Sequence, residues 1–235
     1  MLRCFLANIR SVLSALIIVL LLFPLTRAVD TGATPAQTFG TKHQAGIRLG
    51  VWSNQGDTPP AGGSSGEFSF RTSISEANFY FEAYGALRLF RQLMGELSFG
   101  IVNRGSVTLN ERDLTDVGNL MVYPLLVKVK FYPLGGLDLK WQPYLSAGGG
   151  VFYGRRSVQF TTASYYYSGF EEESSTKLSY ALGGGVDWPI AQTIALDLDI
   201  KYMPIKYSDN LVAVSDYSAF TVAVGVKYLL FSGKK

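Results

Sequence analysis

From Ala45 onward the chain repeats one pattern, in which an apolar side chain recurs at every second position with a glycine, polar or charged residue between. Residues 194–201 show it most clearly: Ile194, Leu196, Leu198 and Ile200 alternate with Asp197, Asp199 and Lys201. Successive side chains of a strand leave opposite faces, so a period of two predicts a strand with one apolar and one ionic side. Ala45 to Val51 repeats the pattern around Gly46, Arg48 and Gly50. Phe79 to Leu89 does so around Tyr80, Glu82, Tyr84 and Arg88. Leu97 to Ile101, Tyr123 to Phe131, Leu145 to Tyr153, Leu178 to Trp188 and Val222 to Tyr228 continue it, which brings the number of predicted strands to eight.

The segments between these strands alternate in length. Short connections fall at Arg91-Gln92, Pro133 to Lys140 and Pro189 to Gln192. Long ones run from Asn54 to Glu67, Arg104 to Gly118, Arg155 to Thr176 and Lys206 to Tyr217, with Phe68 to Ser75 as a candidate hairpin extension. An even number of strands with short turns on one rim and long loops on the other predicts an all-β fold, an eight-stranded antiparallel up-and-down transmembrane β-barrel. A soluble lipid-binding barrel would show the same alternation with its apolar face turned inward.

The N-terminus changes how the composition is read. Arg3 and Arg10, an apolar run from Val12 to Phe23, and Thr26-Arg27-Ala28 together predict a signal peptide over residues 1–28, with a retained anchor as the alternative. Cys4 would leave with it. A flexible periplasmic leader is expected over residues 29–42, the barrel over 43–231 and a tail over 232–235. The net charge of +3 then disappears, because three arginines go with the signal and leave 18 basic against 18 acidic residues. A neutral mature chain gives no reason to expect a nucleic-acid partner. Charged residues make up only 17%, below the roughly 25% of ordinary soluble domains, and aromatics 14%. Exported with no cysteine left, the chain must hold itself by strand pairing and packing. Export would also start the first strand in the periplasm and turn the long loops to the exterior.

Three features favour apolar faces turned outward to lipid. Phe131, Tyr153, Trp188, Tyr202 and Tyr228 sit towards strand ends on the apolar face, where an interfacial aromatic girdle belongs. Gly148, Gly150, Gly183, Gly185 and Gly225 crowd the other face, which suits a narrow interior. The ionic residues of that face nearly cancel: Arg48, Arg88, Lys128, Lys130, Lys201 and Lys227 against Glu82, Glu96, Asp187, Asp197 and Asp199. A basic residue on the lipid face at mid-membrane would cost about 2–4 kcal/mol. Eight strands enclose a space just wide enough to be filled by side chains, so a salt-bridged plug is expected, with a narrow polar conduit as the alternative.

Leu125 to Pro133, Gln142 to Gly150, Gly185-Val186-Asp187-Trp188 and Ile200 to Ile205 resemble the small outer-membrane barrels of the OmpA, OmpX and OmpW type. The Pro143-Tyr144 and Ala147-Gly148 pattern and the Tyr202-Met203-Pro204-Ile205 ending lie nearest the OmpW-like branch. The resemblance implies outer-membrane lipid and lipopolysaccharide as surroundings and the barrel-assembly machinery as a partner during insertion. It implies a non-enzymatic role in envelope integrity or narrow passage of small, hydrophobic solutes. A surface-interaction role through the long loops is the alternative. The last strand departs from the group's usual terminal aromatic: Leu230 follows Tyr228 on one face, and Phe231 is out of phase. No peptidoglycan-binding segment follows the barrel, so a wall tether is not expected.

Candidate chemistry is sparse. His43, the only histidine, falls at the start of the first strand, whereas barrel enzymes of the group place one near the outer rim; no Ser-His-Asp relay is expected. Gly148 to Gly150 and Gly183 to Gly185 lie inside strands and lack a following Lys-Ser/Thr, so they suit close packing better than phosphate binding. Glu171 to Glu173 are clustered carboxylates that fit a hard cation or, as a bland charge run, a solvated loop. Tyr165, Tyr166 and Tyr167 are the candidate contacts to lipid, solute or a surface partner. No cofactor and no metal are expected.

Overall fold

The computed structural model describes residues 43–56, 63–65, 68–74, 77–111, 114–135, 139–161, 168–211 and 214–230. The expected signal, leader and tail, and Tyr165 to Tyr167, lie outside these residues. The strands in chain order are β1 (His43–Asn54), β2 (Gly63–Ser65), β3 (Phe68–Ile74), β4 (Ala77–Phe90), β5 (Leu93–Glu111), β6 (Leu114–Phe131), β7 (Gln142–Thr161), β8 (Ser168–Pro189), β9 (Ile194–Met203), β10 (Lys206–Leu211), β11 (Val214–Asp216) and β12 (Ala219–Leu230).

Eight of these close a ring. β1 pairs with β4 on one side and β12 on the other, and the remaining neighbours β4–β5, β5–β6, β6–β7, β7–β8, β8–β9 and β9–β12 are all antiparallel. Closure satisfies every edge internally, which is what lets a sheet exist in lipid. The period-two pattern sets the facing. Leu97, Val127, Leu145 and Leu178 stand outward with exposures of 56%, 63%, 63% and 74%. Their strand neighbours Glu96, Lys128, Tyr144 and Ala181 are buried inside. Phe131, Trp188, Tyr202 and Tyr228 lie on the exposed outer face, as the girdle requires. A continuous apolar exterior around an ionic interior makes this a transmembrane barrel, since water around that belt would leave far more apolar surface wet than soluble monomers carry.

The two rims differ. At one, β4 and β5 are joined by the tight turn Arg91-Gln92, and β8 and β9 by Ile190 to Thr193. At the other, strands continue far beyond the lipid. β5 to β8 have 19, 18, 20 and 22 residues, about twice the 9–11 that a tilted strand needs to cross. The segments expected as long loops at Arg104 to Gly118 and Arg155 to Thr176 are therefore largely paired hairpin arms, with β5 running against β6 to Glu111↔Leu114 and β7 against β8 to Thr161↔Ser168. Outside lipid a hairpin needs no one-sided apolar face, so the alternation that marked the membrane strands fades while the backbone pairing goes on. β2, within the Asn54 to Glu67 connection, pairs with β3, which falls on the Phe68 to Ser75 hairpin extension and lies along the extended β5. β10 and β11 make a hairpin within the Lys206 to Tyr217 connection.

Two local features shape the wall. β5 carries a bulge at Arg104: Asn103 faces Met121 and Gly105 faces Leu120, leaving Arg104 as the extra residue. Gly105 takes φ of 138°, a left-handed value that other side chains adopt only under strain, and its N–H donates to Asn103 Oδ1 at 3.1 Å. In β6, Pro124 has no N–H to give to the ladder, and the pairing with β5 skips from Phe99↔Leu125 to Val102↔Val122.

Candidate functional site

The lumen is filled in three layers. Nearest the short-turn rim, Ala86, Met94, Tyr132, Tyr144, Ala195 and Leu229 form an apolar and tyrosine cluster. Towards the long hairpins, Trp52, Tyr80, Val102, Phe152, Met203 and their neighbours form a larger one. Between them lies an ionic layer, placed by the inward positions of seven different strands.

Arg48 on β1 is its hub. Its guanidinium donates from Nε to Asp197 Oδ2 at 2.6 Å, from Nη1 to Glu82 Oε1 at 2.5 Å, and from Nη2 to Glu96 Oε2 at 3.0 Å. Its Cζ lies 3.6 Å over the Tyr84 ring. Glu96 is shared with Lys128 at 2.7 Å and Lys130 at 2.7 Å. Glu82 is shared with Lys128 at 3.4 Å and with Lys201, and Lys201 reaches Asp199 at 3.1 Å. Lys227 pairs with Asp187 at 2.5 Å and donates to Gln44 Oε1 at 3.1 Å.

Tyrosines complete the network. Tyr80 donates to Glu82, Tyr132 to Asp187 at 2.7 Å and Tyr144 to Asp199 at 2.8 Å. All ten of these charged side chains are at most 2% exposed. Five cations meet five anions, so the layer is neutral, the arrangement under which buried charge is tolerable. Glycine provides the room: a Cβ at Gly225 would fall on the Asp197 carboxylate and 2.8 Å from Arg48 Cγ.

The eleventh predicted member stands apart. Arg88 is half-buried at the short-turn rim, where its Nη1 donates to the Arg91 carbonyl at 3.1 Å and its Cζ lies 5.1 Å from the Tyr132 ring. Its place among the buried cations is taken by Arg104, near the long-hairpin end, which is wholly buried. The period-two rule does put residue 104 in phase with Glu96, Ser98 and Val102, but it lies past the last strongly apolar alternation, Leu97 to Ile101. Its complete burial shows that it faces in. His43 sits at the short-turn rim and its Nδ1 accepts from the Arg88 amide at 3.1 Å, far along β1 from Trp52 and the other end.

A closed eight-stranded membrane barrel with a neutral ionic plug defines the class. No protein-family model and no curated protein matches the chain. Among solved structures the chain is similar to the outer membrane protein OprG from Pseudomonas aeruginosa, with 17% identity over 82% of this chain and 97% of that one and a TM-score of 0.49. It is similar to Ail, the attachment invasion locus protein of Yersinia pestis, with 16% identity, 81% and 99% coverage and a TM-score of 0.43. Neisserial surface protein A is a third such barrel, with 12% identity, 80% and 96% coverage and a TM-score of 0.44. These are small outer-membrane barrels, the group that the strand motifs resemble.

Proposed function

We propose that this chain is a non-enzymatic barrel of the outer membrane of a diderm bacterium. Its lumen is closed to hydrated solutes, and it serves envelope integrity through its lipid-facing wall and its tall hairpins. The observation that carries this reading is the filling of the lumen by a neutral ionic layer held between two apolar clusters. Water or an ion passing along the axis would have to displace paired charges, and breaking one buried pair costs about 3–5 kcal/mol. Lipid and lipopolysaccharide are then the partners of the wall, and the barrel-assembly machinery the partner during insertion. The long arms of β5 to β8 stand where a surface ligand could be met, which keeps the adhesin-like role as part of the same reading. Membrane fractionation with heat-dependent gel migration tests the location. Planar-bilayer recording tests the closed lumen: a silent bilayer is expected, and stepwise conductance that changes on Lys128→Glu would overturn it.

One feature favours a second reading, passage of small apolar solutes through the wall rather than along the axis. Pro124 removes a rung of the β5–β6 ladder beside the outward aromatic row Phe99, Tyr123 and Tyr153. In this conformation the gap is shut, since a Cβ at Gly100 would meet Tyr80 Oη at 2.7 Å and Pro124 Cγ at 2.9 Å. A disulfide locking Ile101→Cys to Tyr123→Cys would abolish uptake of an apolar solute under this reading and leave it unchanged under the first.

A further inference from the structure

We propose that Arg104 is the centre of an anion site at the long-hairpin end of the lumen, and that the site takes one carboxylate group of a small organic acid. Four observations meet there. Arg104 is wholly buried, yet none of its Nε, Nη1 and Nη2 has a hydrogen-bond partner. Two more donors of the same cluster, Trp52 Nε1 and Tyr207 Oη, are equally buried and equally without one. Aromatic rings flank the guanidinium, with Cζ 5.3 Å from the Tyr217 centroid and 5.9 Å from that of Trp52, and Tyr207 stands edge-on to Tyr217 at 5.2 Å. Among the described residues the buried charges are six cations and five anions. The ionic layer is balanced without Arg104, so the surplus is this one side chain.

A buried guanidinium that satisfies no donor is expensive, because desolvation is not repaid. Ring faces compensate part of the charge but accept no N–H in the plane of the fork. Arg104 is the extra residue of the β5 bulge, beside Gly105 at a left-handed φ of 138°, and such local irregularities recur next to functional sites. The chemistry selects the ligand. A single negative charge cancels the surplus, whereas sulfate or hydrogen phosphate in its dianionic form would reverse it. A planar acceptor with two oxygens matches the guanidinium fork, and the indole and phenol donors can serve the remaining lone pairs. Phe152, Met203 and Ile205 belong to the same buried apolar cluster as Trp52, Tyr207 and Tyr217, which favours a ligand whose remainder is apolar. The site is independent of whether the barrel conducts or lets solutes through its wall.

The test uses the full chain in detergent micelles, with tryptophan fluorescence read in a Trp141→Phe/Trp188→Phe background so that Trp52 reports. Sodium acetate and sodium butyrate are titrated at constant ionic strength against sodium chloride and sodium sulfate. A saturable change with the carboxylates, tighter for butyrate, is expected. Arg104→Gln should weaken it by about 10- to 100-fold, the loss of a hydrogen bond to a charged group. Tyr207→Phe removes one neutral donor and should weaken it by several-fold, which keeps the test open if Arg104→Gln does not fold. The absence of a saturable response in the parent chain would overturn the proposal. So would equal responses to all four salts, or unchanged titrations in the folded variants.

Discussion

Arg48→Met is the perturbation that the ionic layer makes most informative. The arginine touches three carboxylates, but they do not suffer equally when it goes. Glu82 keeps Lys128 and Lys201, and Glu96 keeps Lys128 and Lys130. Asp197 has its ion pair with Arg48 alone, supplemented by a weak contact from the Tyr84 hydroxyl at 3.4 Å. The variant therefore leaves four cations against five anions in the layer, with the uncompensated charge at Asp197. Removing one partner of a buried pair costs about 3–5 kcal/mol, which is about two to three and a half decades in the unfolding equilibrium. Asp197→Asn alone should cost less, about 1–3 kcal/mol, because Arg48 retains two carboxylates.

The double variant Arg48→Met/Asp197→Asn is neutral again, at four against four, and should be more stable than Arg48→Met by itself. The coupling should fall within the roughly 0.5–3 kcal/mol of contacting residues. Reversible urea unfolding in micelles, followed by tryptophan fluorescence and checked by heat-dependent gel migration, measures all four corners. Additive losses, with the double variant the least stable of the set, would refute the claim that neutrality of the layer is what Arg48 secures.

Other outcomes follow from the same geometry. Gly225→Ala forces a Cβ onto the Asp197 carboxylate and should impair folding yield, whereas Gly85→Ala, with nothing within 4 Å of the added carbon, should fold as the parent does. Leu198→Arg places a charge on the outward face of β9 and should cost about 2–4 kcal/mol if that position is at mid-membrane, while Leu198→Ile should cost little. At the long-hairpin rim, slight burial works against the charged Asp216 carboxyl. Hydrogen bonds from Ser218 and the Lys206 ammonium at 3.1 Å outweigh it and hold its pKa below the ordinary value. A depressed pKa stabilises the fold above the unfolded value and loses that contribution as pH falls through the folded one. Amide protection factors in β10 and β11, taken against the intrinsic exchange rate at each pH, should therefore fall as pH drops below the usual aspartate range, and Asp216→Asn should remove that dependence.

The parts of the fold that lipid dictates were legible in the sequence. Alternation gave the phase of each membrane strand because a one-residue slip would turn every leucine inward and every lysine into lipid. It placed Arg48, Lys201, Asp197 and Asp199 together before any register was known. It did not give the arms of β5 to β8, since hydrogen bonding outside the membrane makes no demand on side-chain polarity. Arg104 and Arg88 exchanged places for a related reason. Both lie in the inward phase, Arg88 near the end of β4 and Arg104 well inside β5, and only height along the barrel, fixed by the pairing register, separates a buried cation from a rim one. Trp52 and the inward tyrosines were visible as residues but not as partners, because a phenol beside a carboxylate is a fact of register across strands far apart in sequence.

The central claim is that the apolar face of every barrel strand meets lipid and the ionic face is sealed inside. Methyl-labelled protein in deuterated-protein, protonated-lipid micelles or bilayers tests it directly on β9. Nuclear Overhauser contacts to acyl chains are expected from Ile194, Leu196, Leu198 and Ile200, with none to water. Contacts from these methyls to water or to one another across a closed interior, with acyl chains silent, would contradict the account and make the barrel a soluble one turned inside out.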